Sequence, residues 1–217
     1  MRNSAVKARP APEERMPLIG GAAIEVLASK GIRGLTHREI DRHLNWPEGT
    51  TSRYYRTRDA LMTAAVQHLV DIEMADVTEW KKAAVVAGSI TVEGVVDILI
   101  TNYHTWINNA ERQIARYELS LEARRRPAVH EAIINARGSM CGAVQSTLAA
   151  AGFPHPETQA IVLLSALDGL CHDYLLHARY YVEPAHIEGI IRRWLGVEYD
   201  APSHAYPESD IGAGAGS

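Results

Sequence analysis

At 217 residues the chain can hold one or two domains with a real core, and no apolar run approaches the length of a membrane span. Its net charge of −4 hides an asymmetry: residues 1–58 hold 11 Lys and Arg against 6 Asp and Glu, and residues 59–217 hold 11 against 20. A basic N-terminal segment on an acidic body therefore keeps a polyanionic partner in play where the overall charge argues against one.

Residues 1–12 are polar, contain Pro10 and Pro12 and lack periodicity, which predicts a flexible arm. Arg2, Lys7 and Arg9 are not followed by an apolar stretch, so no secretory leader is expected and the chain reads as cytoplasmic. Glu13 to Lys30 predicts a first helix with an apolar stripe of Ile19, Ala22, Ala23, Val26 and Leu27, ended by Gly31.

The stretch from Leu35 to Leu61 is the most informative. Thr36 is a good N-cap with Glu39 three residues on, as in a capping box, and Ile40 and Leu44 share an apolar face. Asn45-Trp46-Pro47 breaks this short helix, because proline lacks an N–H and biases its predecessor away from helix. A second short helix restarts near Glu48 and carries Thr50, Thr51, Ser52, Arg53 and Tyr54; a long one follows, with Thr57 as its cap and Asp59 in its first turn. Two short helices across a tight break, the second small and hydroxyl-rich, read as a helix-turn-helix. Thr36, Arg38-Glu39-Ile40, Pro47, Gly49-Thr50-Thr51-Ser52, Tyr54-Tyr55, Thr57-Arg58 and Ala60-Leu61, in this order, resemble the DNA-binding domain of the TetR family of bacterial transcriptional repressors.

The resemblance spans about Leu18 to Leu61 and implies a DNA-contacting set of Thr36, His37, Arg38, Glu48, Gly49, Thr50, Thr51, Ser52, Arg53, Tyr54 and Arg58. Thr50 and Thr51 are expected to reach base edges, or Thr50 to cap the helix; Arg58 is expected on phosphate. Glu48 caps locally or accepts from a cytosine amine, and Ser52, where many members have tyrosine, reaches less far. Tyr55 and Trp46 match buried positions. Asp41, where alanine is common, is expected as a solvated acid or an ion-pair partner of Arg38 or Arg42. Gly20 replaces a larger apolar residue, which either weakens packing or lets another element approach.

Downstream, Arg58 to about Ala87 predicts one long helix broken by Gly88-Ser89, and five more are expected at about 92–109, 112–125, 127–151, 156–181 and 184–195, punctuated by Pro127, Pro154, Pro156 and Pro184. Residues 202–217 read as a disordered tail. Cys141 and Cys171 lie in helical patterns and read as buried free thiols.

Tyr103, Trp106, Tyr117, Glu118, His172 and Tyr174 form the polar-aromatic set of the C-terminal half, a candidate lining for an aromatic ligand, with Glu118 or a histidine fixing its orientation. Aromatic residues at helical spacing equally suit an ordinary core. His172 and His177 are five apart and do not share a helix face, and no metal motif stands out; no cofactor is called for. No nucleophile–base pair, phosphate loop or paired carboxylates appear at a telling spacing, so an enzyme is not expected. The last helices, 156–195, carry apolar residues including Ile161, Leu164, Leu167, Ile187, Ile190, Ile191 and Leu195, a surface suited to pairing with a second copy.

The expectation is thus an all-α protein: an arm at 1–12, a three-helix helix-turn-helix domain at 13–58, a helical ligand-binding and dimerisation domain at 59–200, and a tail at 201–217. By resemblance it is a homodimeric repressor of double-stranded operator DNA, released by an unidentified small molecule and without a membrane partner. The alternative is a small-ligand binding protein of the same fold that does not bind DNA.

Overall fold

The computed structural model describes residues 11–86, 90–177 and 181–197, which form nine α-helices with a single 3-10 turn and no strand. Most of the expected arm and tail, and the expected break at Gly88-Ser89, lie outside the described residues.

Helix α1 (Pro12–Gly34) presents Ile19, Ala22, Ala23, Val26 and Leu27, all buried, as the stripe predicts. It breaks at Gly31, whose φ of 65° suits glycine, and a last turn follows. Helix α2 (His37–His43) is capped by Thr36, whose hydroxyl accepts from Glu39 N at 3.1 Å. The reciprocal half of the capping box is not made: the Glu39 carboxylate pairs with Lys30 at 2.6 Å and with Arg42. Helix α3 (Thr50–Tyr54) follows Gly49, held at φ 86°. Helix α4 (Arg58–Val86) starts where Thr57 accepts from Ala60 N at 3.1 Å.

The remaining helices are α5 (Val92–Asn108), α6 (Ala110–Ala123), α7 (Pro127–Ala150), α8 (Pro156–Leu176) and α9 (Ile187–Leu195), with the 3-10 turn at Pro184–His186 before the last. α8 ends about one turn earlier than expected.

Two apolar cores form. The first joins α1, α2 and the N-terminal part of α4 to Ala115, Leu119 and Ala123 of α6 and Val129 of α7. The second joins α5, α7, α8 and α9. α6 packs extensively on α1, so the helix-turn-helix rests on the C-terminal half through α6 as well as through the continuous α4. Gly20 is buried where α1 meets α4: a Cβ there would lie 2.7 Å from His68 Cβ and Cγ. Of the two expectations for Gly20, close approach is the one realised.

The apolar face of α9 is not free. Ile187, Ile191 and Leu195 are buried in the second core, against α5. On α7 and α8, in contrast, Ile134, Ile161 and Val162 are more than half exposed, and the space around Gly138, Gly142 and Gly169 is open. This corrects the assignment of 184–195 to a free surface: a nine-residue helix with one apolar face spends that face on its own chain.

Candidate DNA interface and ligand cavity

Asp41 organises the helix-turn-helix. It is buried, not solvated, and pairs with neither Arg38 nor Arg42. Its Oδ2 accepts from Gly49 N at 2.7 Å, and its Oδ1 accepts from Thr51 N at 2.8 Å and from the Thr51 hydroxyl at 2.6 Å. A buried carboxylate is tolerable when its lone pairs are filled. Here it does for α3 what an N-cap side chain would do, since Gly49 has none. Trp46 N donates to the Asp41 carbonyl at 2.7 Å, closing the turn, and Trp46 and Tyr55 pack on the first core as expected.

This geometry redistributes the expected DNA contacts. Thr51 is wholly buried, its hydroxyl bound to Asp41, and Thr50 is buried with its hydroxyl donating to Pro47 O at 2.6 Å. Neither side chain reaches a base edge in this arrangement, and Thr50 does not cap the helix either: it is the first helical residue after Gly49, and its hydroxyl donates to a carbonyl where a cap would accept from a backbone N–H. The Ser52 hydroxyl donates to Gly49 O at 2.9 Å. His37 Nε2 lies 2.5 Å from Tyr55 O, and the half-buried Tyr54 accepts from Arg15 Nη1 at 3.0 Å. Arg58 is half-buried and donates to Ile32 O, turning into the protein where phosphate contact was expected. Thr36, Arg38, Glu48 and Arg53 are exposed around α2 and α3, with Arg38 and Glu48 paired at 3.1 Å.

In the C-terminal half a cavity of about 210 Å³ opens between α4, α6, α7 and α8, lined in part by Val66, Leu69, Glu73, Trp106, Arg116 and Asp168. Arg116 crosses its wall. It pairs with Asp168, donates to Gln113 Oε1 at 2.9 and 2.5 Å, and lies 5.3 Å from the Trp106 ring centre and 5.1 Å from that of Tyr117. Burial opposes its charge, but the Asp168 carboxylate more than compensates and raises its pKa. Glu73 is the reverse case: burial pushes its carboxyl above the usual range, and Arg116 offsets this only in part.

Of the expected ligand residues, only Trp106 lines this cavity. Tyr103 is buried in the second core with its hydroxyl unpartnered, and burial pushes its pKa up to about 12. Tyr117 stands behind Arg116, its hydroxyl 3.4 Å from Asp168 oxygens; burial and that carboxylate raise its pKa. Glu118 points away, to the N–H of Ile32 at 2.9 Å. His172 stacks edge-on against Tyr117 at 5.2 Å, and Tyr174 against Tyr181 at 5.1 Å. His172 and His177 do come together, on Asp173 at 3.6 and 2.9 Å, because α8 ends at Leu176 and the backbone of His177 leaves helical geometry. The cysteines are free, and burial pushes the Cys171 thiol up to about 11, the expected inert thiol.

Sequence reasoning missed Glu73, Arg116 and Asp168. A signal was present: Glu73 continues the stripe of Val66, Leu69 and Val70 at helical steps, and Asp168 follows Leu164 by four residues. A charge inside an apolar stripe must find a partner or a cavity.

Residues 91–197 match the model of the tetracyclin repressor-like C-terminal domain. The chain belongs to the TetR family of transcriptional regulators. It is similar over 84% of its length to a structure from Streptomyces coelicolor A3 described as a member of the TetR family, with 28% identity, 98% of that chain covered and a TM-score of 0.64. The multidrug binding protein EbrR complexed with ethidium matches at 26% identity over 83% of this chain and 98% of that one, with a TM-score of 0.63. A putative TetR-family regulator from Rhodococcus sp. shares the fold at 20% identity and a TM-score of 0.69, over 84% of this chain and 99% of that one. No curated relative matches. Among the described residues of this TetR-family chain, no helix is long and apolar enough to cross a membrane.

Proposed function

We propose that this chain is a homodimeric repressor whose α2–α3 unit binds the major groove of a near-palindromic operator and whose cavity binds a small molecule that releases DNA. The observation that carries the reading is the Asp41 clamp. It fixes a five-residue helix that could not hold itself, and leaves Arg38, Glu48 and Arg53 outward beside it. Base reading falls to these long side chains and to Thr36, while Thr50 and Thr51 set the angle of the helix. Phosphate contacts come from the basic N-terminal segment. The exposed faces of α7 and α8 supply the contact between copies.

The clamp on Ile32 supports the coupling. Its N–H is held by Glu118 of α6 and its carbonyl by Arg58 of α4. The same two helices carry Arg116 and Glu73 into the cavity. A ligand that favours a different α4–α6 spacing therefore acts on both holds at the joint between α1 and α2, and shifts the DNA-binding state by its differential affinity. The complex of EbrR with ethidium supports a small-molecule ligand for the fold.

Selection of bound duplexes from a random pool, followed by titration across salt, tests the reading. A two-fold related consensus is expected, with affinity falling roughly 10³-fold between 50 and 200 mM salt if about six phosphates are contacted. The absence of any enriched sequence, or a flat salt response, would favour the ligand-binding protein without a DNA role.

A further inference from the structure

We infer that the cavity ligand is a compact aromatic cation of one or two rings whose N–H groups pair with Glu73. This rests on the reading of the cavity as the effector site.

Four charged groups line the cavity: Glu73, Arg116, Arg137 and Asp168. Arg116 and Asp168 hold each other. Nε and Nη2 of Arg116 also donate to Gln113, and its guanidinium lies against the Trp106 and Tyr117 rings. Arg137 donates to Ser165 Oγ at 2.9 Å. Arg116 is neutralised within the wall by Asp168, whereas Arg137 is bound only to a neutral hydroxyl, so an anionic ligand is the rival that the titration must separate. Glu73 alone among the four makes no hydrogen bond and no ion pair with the described residues. One turn earlier on its helix stand Leu69 and Val70, and the charges around it are Arg112 and Arg116 against Asp76 and Asp168. A half-buried carboxyl without a donor carries a standing desolvation cost, and a ligand N–H removes it. Amidinium and protonated amine groups supply both the charge and the directed donors.

Size and polarity narrow the class. A cavity of about 150 Å³ lined by aliphatic and aromatic side chains accommodates benzene. The space here is about 210 Å³, enough for one ring or a tight pair with a polar head. Val66, Leu69, Ile133 and Met140 provide the apolar walls for the ring. The face of Trp106 is already occupied by Arg116, so the cation belongs at Glu73 and not over that indole.

The isosteric series benzamidine, benzamide and benzoate tests charge at constant shape, by calorimetric titration of the full-length protein without DNA. Benzamidine is expected to bind at least tenfold more tightly than benzoate, with benzamide between them. Glu73→Gln should cost benzamidine about tenfold and change benzamide less than twofold, and Glu73→Asp should keep the order of the series. Benzamide binding reports that the cavity in each variant is intact. Benzoate binding as tightly as benzamidine, an unchanged benzamidine affinity in Glu73→Gln, or no binding of any of the three would overturn the assignment. Selection of DNA on the same preparation separates the readings: operator enrichment without cation binding removes the ligand class alone, whereas cation binding without operator enrichment removes the repressor.

Discussion

Glu118 on α6 accepts a hydrogen bond from the backbone N–H of Ile32, 2.9 Å away and 86 residues earlier in the chain. Gly31, immediately before, is held at φ 65°, where a Cβ would sit 3.5 Å from the same carboxylate. The last turn of α1 is thus oriented by a side chain from the other half of the molecule. Glu118→Ala should lower stability by about 1.5–3 kcal/mol, the range for a hydrogen bond to a charged group. It should also reduce the effect of a bound ligand on DNA affinity, because one of the two holds on Ile32 is gone. Thermal melts with DNA titrations in the presence and absence of ligand check both; an unchanged ligand response would place the coupling in α4 alone.

Asp41→Ala removes three accepted hydrogen bonds at the start of α3 and leaves buried donors unsatisfied. A loss of roughly 3 kcal/mol or more is expected, with specific and random DNA binding lost together. Thr51→Ala should cost about 1–2 kcal/mol and act through stability too. Arg53→Ala, exposed on α3, should instead weaken operator binding with little change in melting temperature. Selective loss of operator binding in a fully stable Thr51→Ala protein would contradict the buried placement of that hydroxyl.

Gly20→Ala tests the α1–α4 crossing. The added methyl would meet Cβ and Cγ of His68 at 2.7 Å, atoms close to the backbone that cannot swing aside. Overpacking of this kind costs about 1–3 kcal/mol. Chemical denaturation should show the loss as a lower midpoint at unchanged slope; a stabilised variant, as expected for Gly to Ala in an open helix, would contradict the close approach.

Glu73 gives a pH signature. Its folded-state pKa is raised above the carboxylate value of 4.5 by burial, with Arg116 offsetting part of this and Asp168 and Asp76 adding to it. The folded state therefore holds the proton more tightly than the unfolded state. The contribution of Glu73 to stability is fully present below 4.5 and is lost as pH rises through the raised folded value. Glu73→Gln should accordingly be more stable than the parent near neutral pH, with the difference shrinking in acid. Melts from pH 4 to pH 8 read this directly, and a constant difference would exclude the linkage.

Ile161 and Val162 are 56% and 54% exposed on α8, beside the open flank of α7. Sedimentation at micromolar concentration should give a mass near twice 23.9 kDa. Ile161→Arg should shift this toward the monomer, since an unpaired charge at the centre of an apolar contact is strongly unfavourable. Ile190→Arg on α9 should leave the mass unchanged.

Local chemistry made much of this protein legible from its sequence. The helices follow from apolar periodicity and from proline and glycine punctuation, and the helix-turn-helix from the Thr36 cap, the Asn45-Trp46-Pro47 break and Gly49, because caps and breaks act within a few residues of themselves. What lay beyond the sequence was the partner of each polar side chain. Asp41 read as a solvated acid because nothing local shows that Gly49 and Thr51 fold back onto it. Glu118 read as a cavity residue because its receptor is a backbone N–H 86 positions away. Arg116 and Asp168, 52 residues apart, form a pair only when α6 meets α8. Periodicity names the face a residue occupies on its own helix; which other helix covers that face, and whether a cavity is left between them, is decided by the packing of the whole chain.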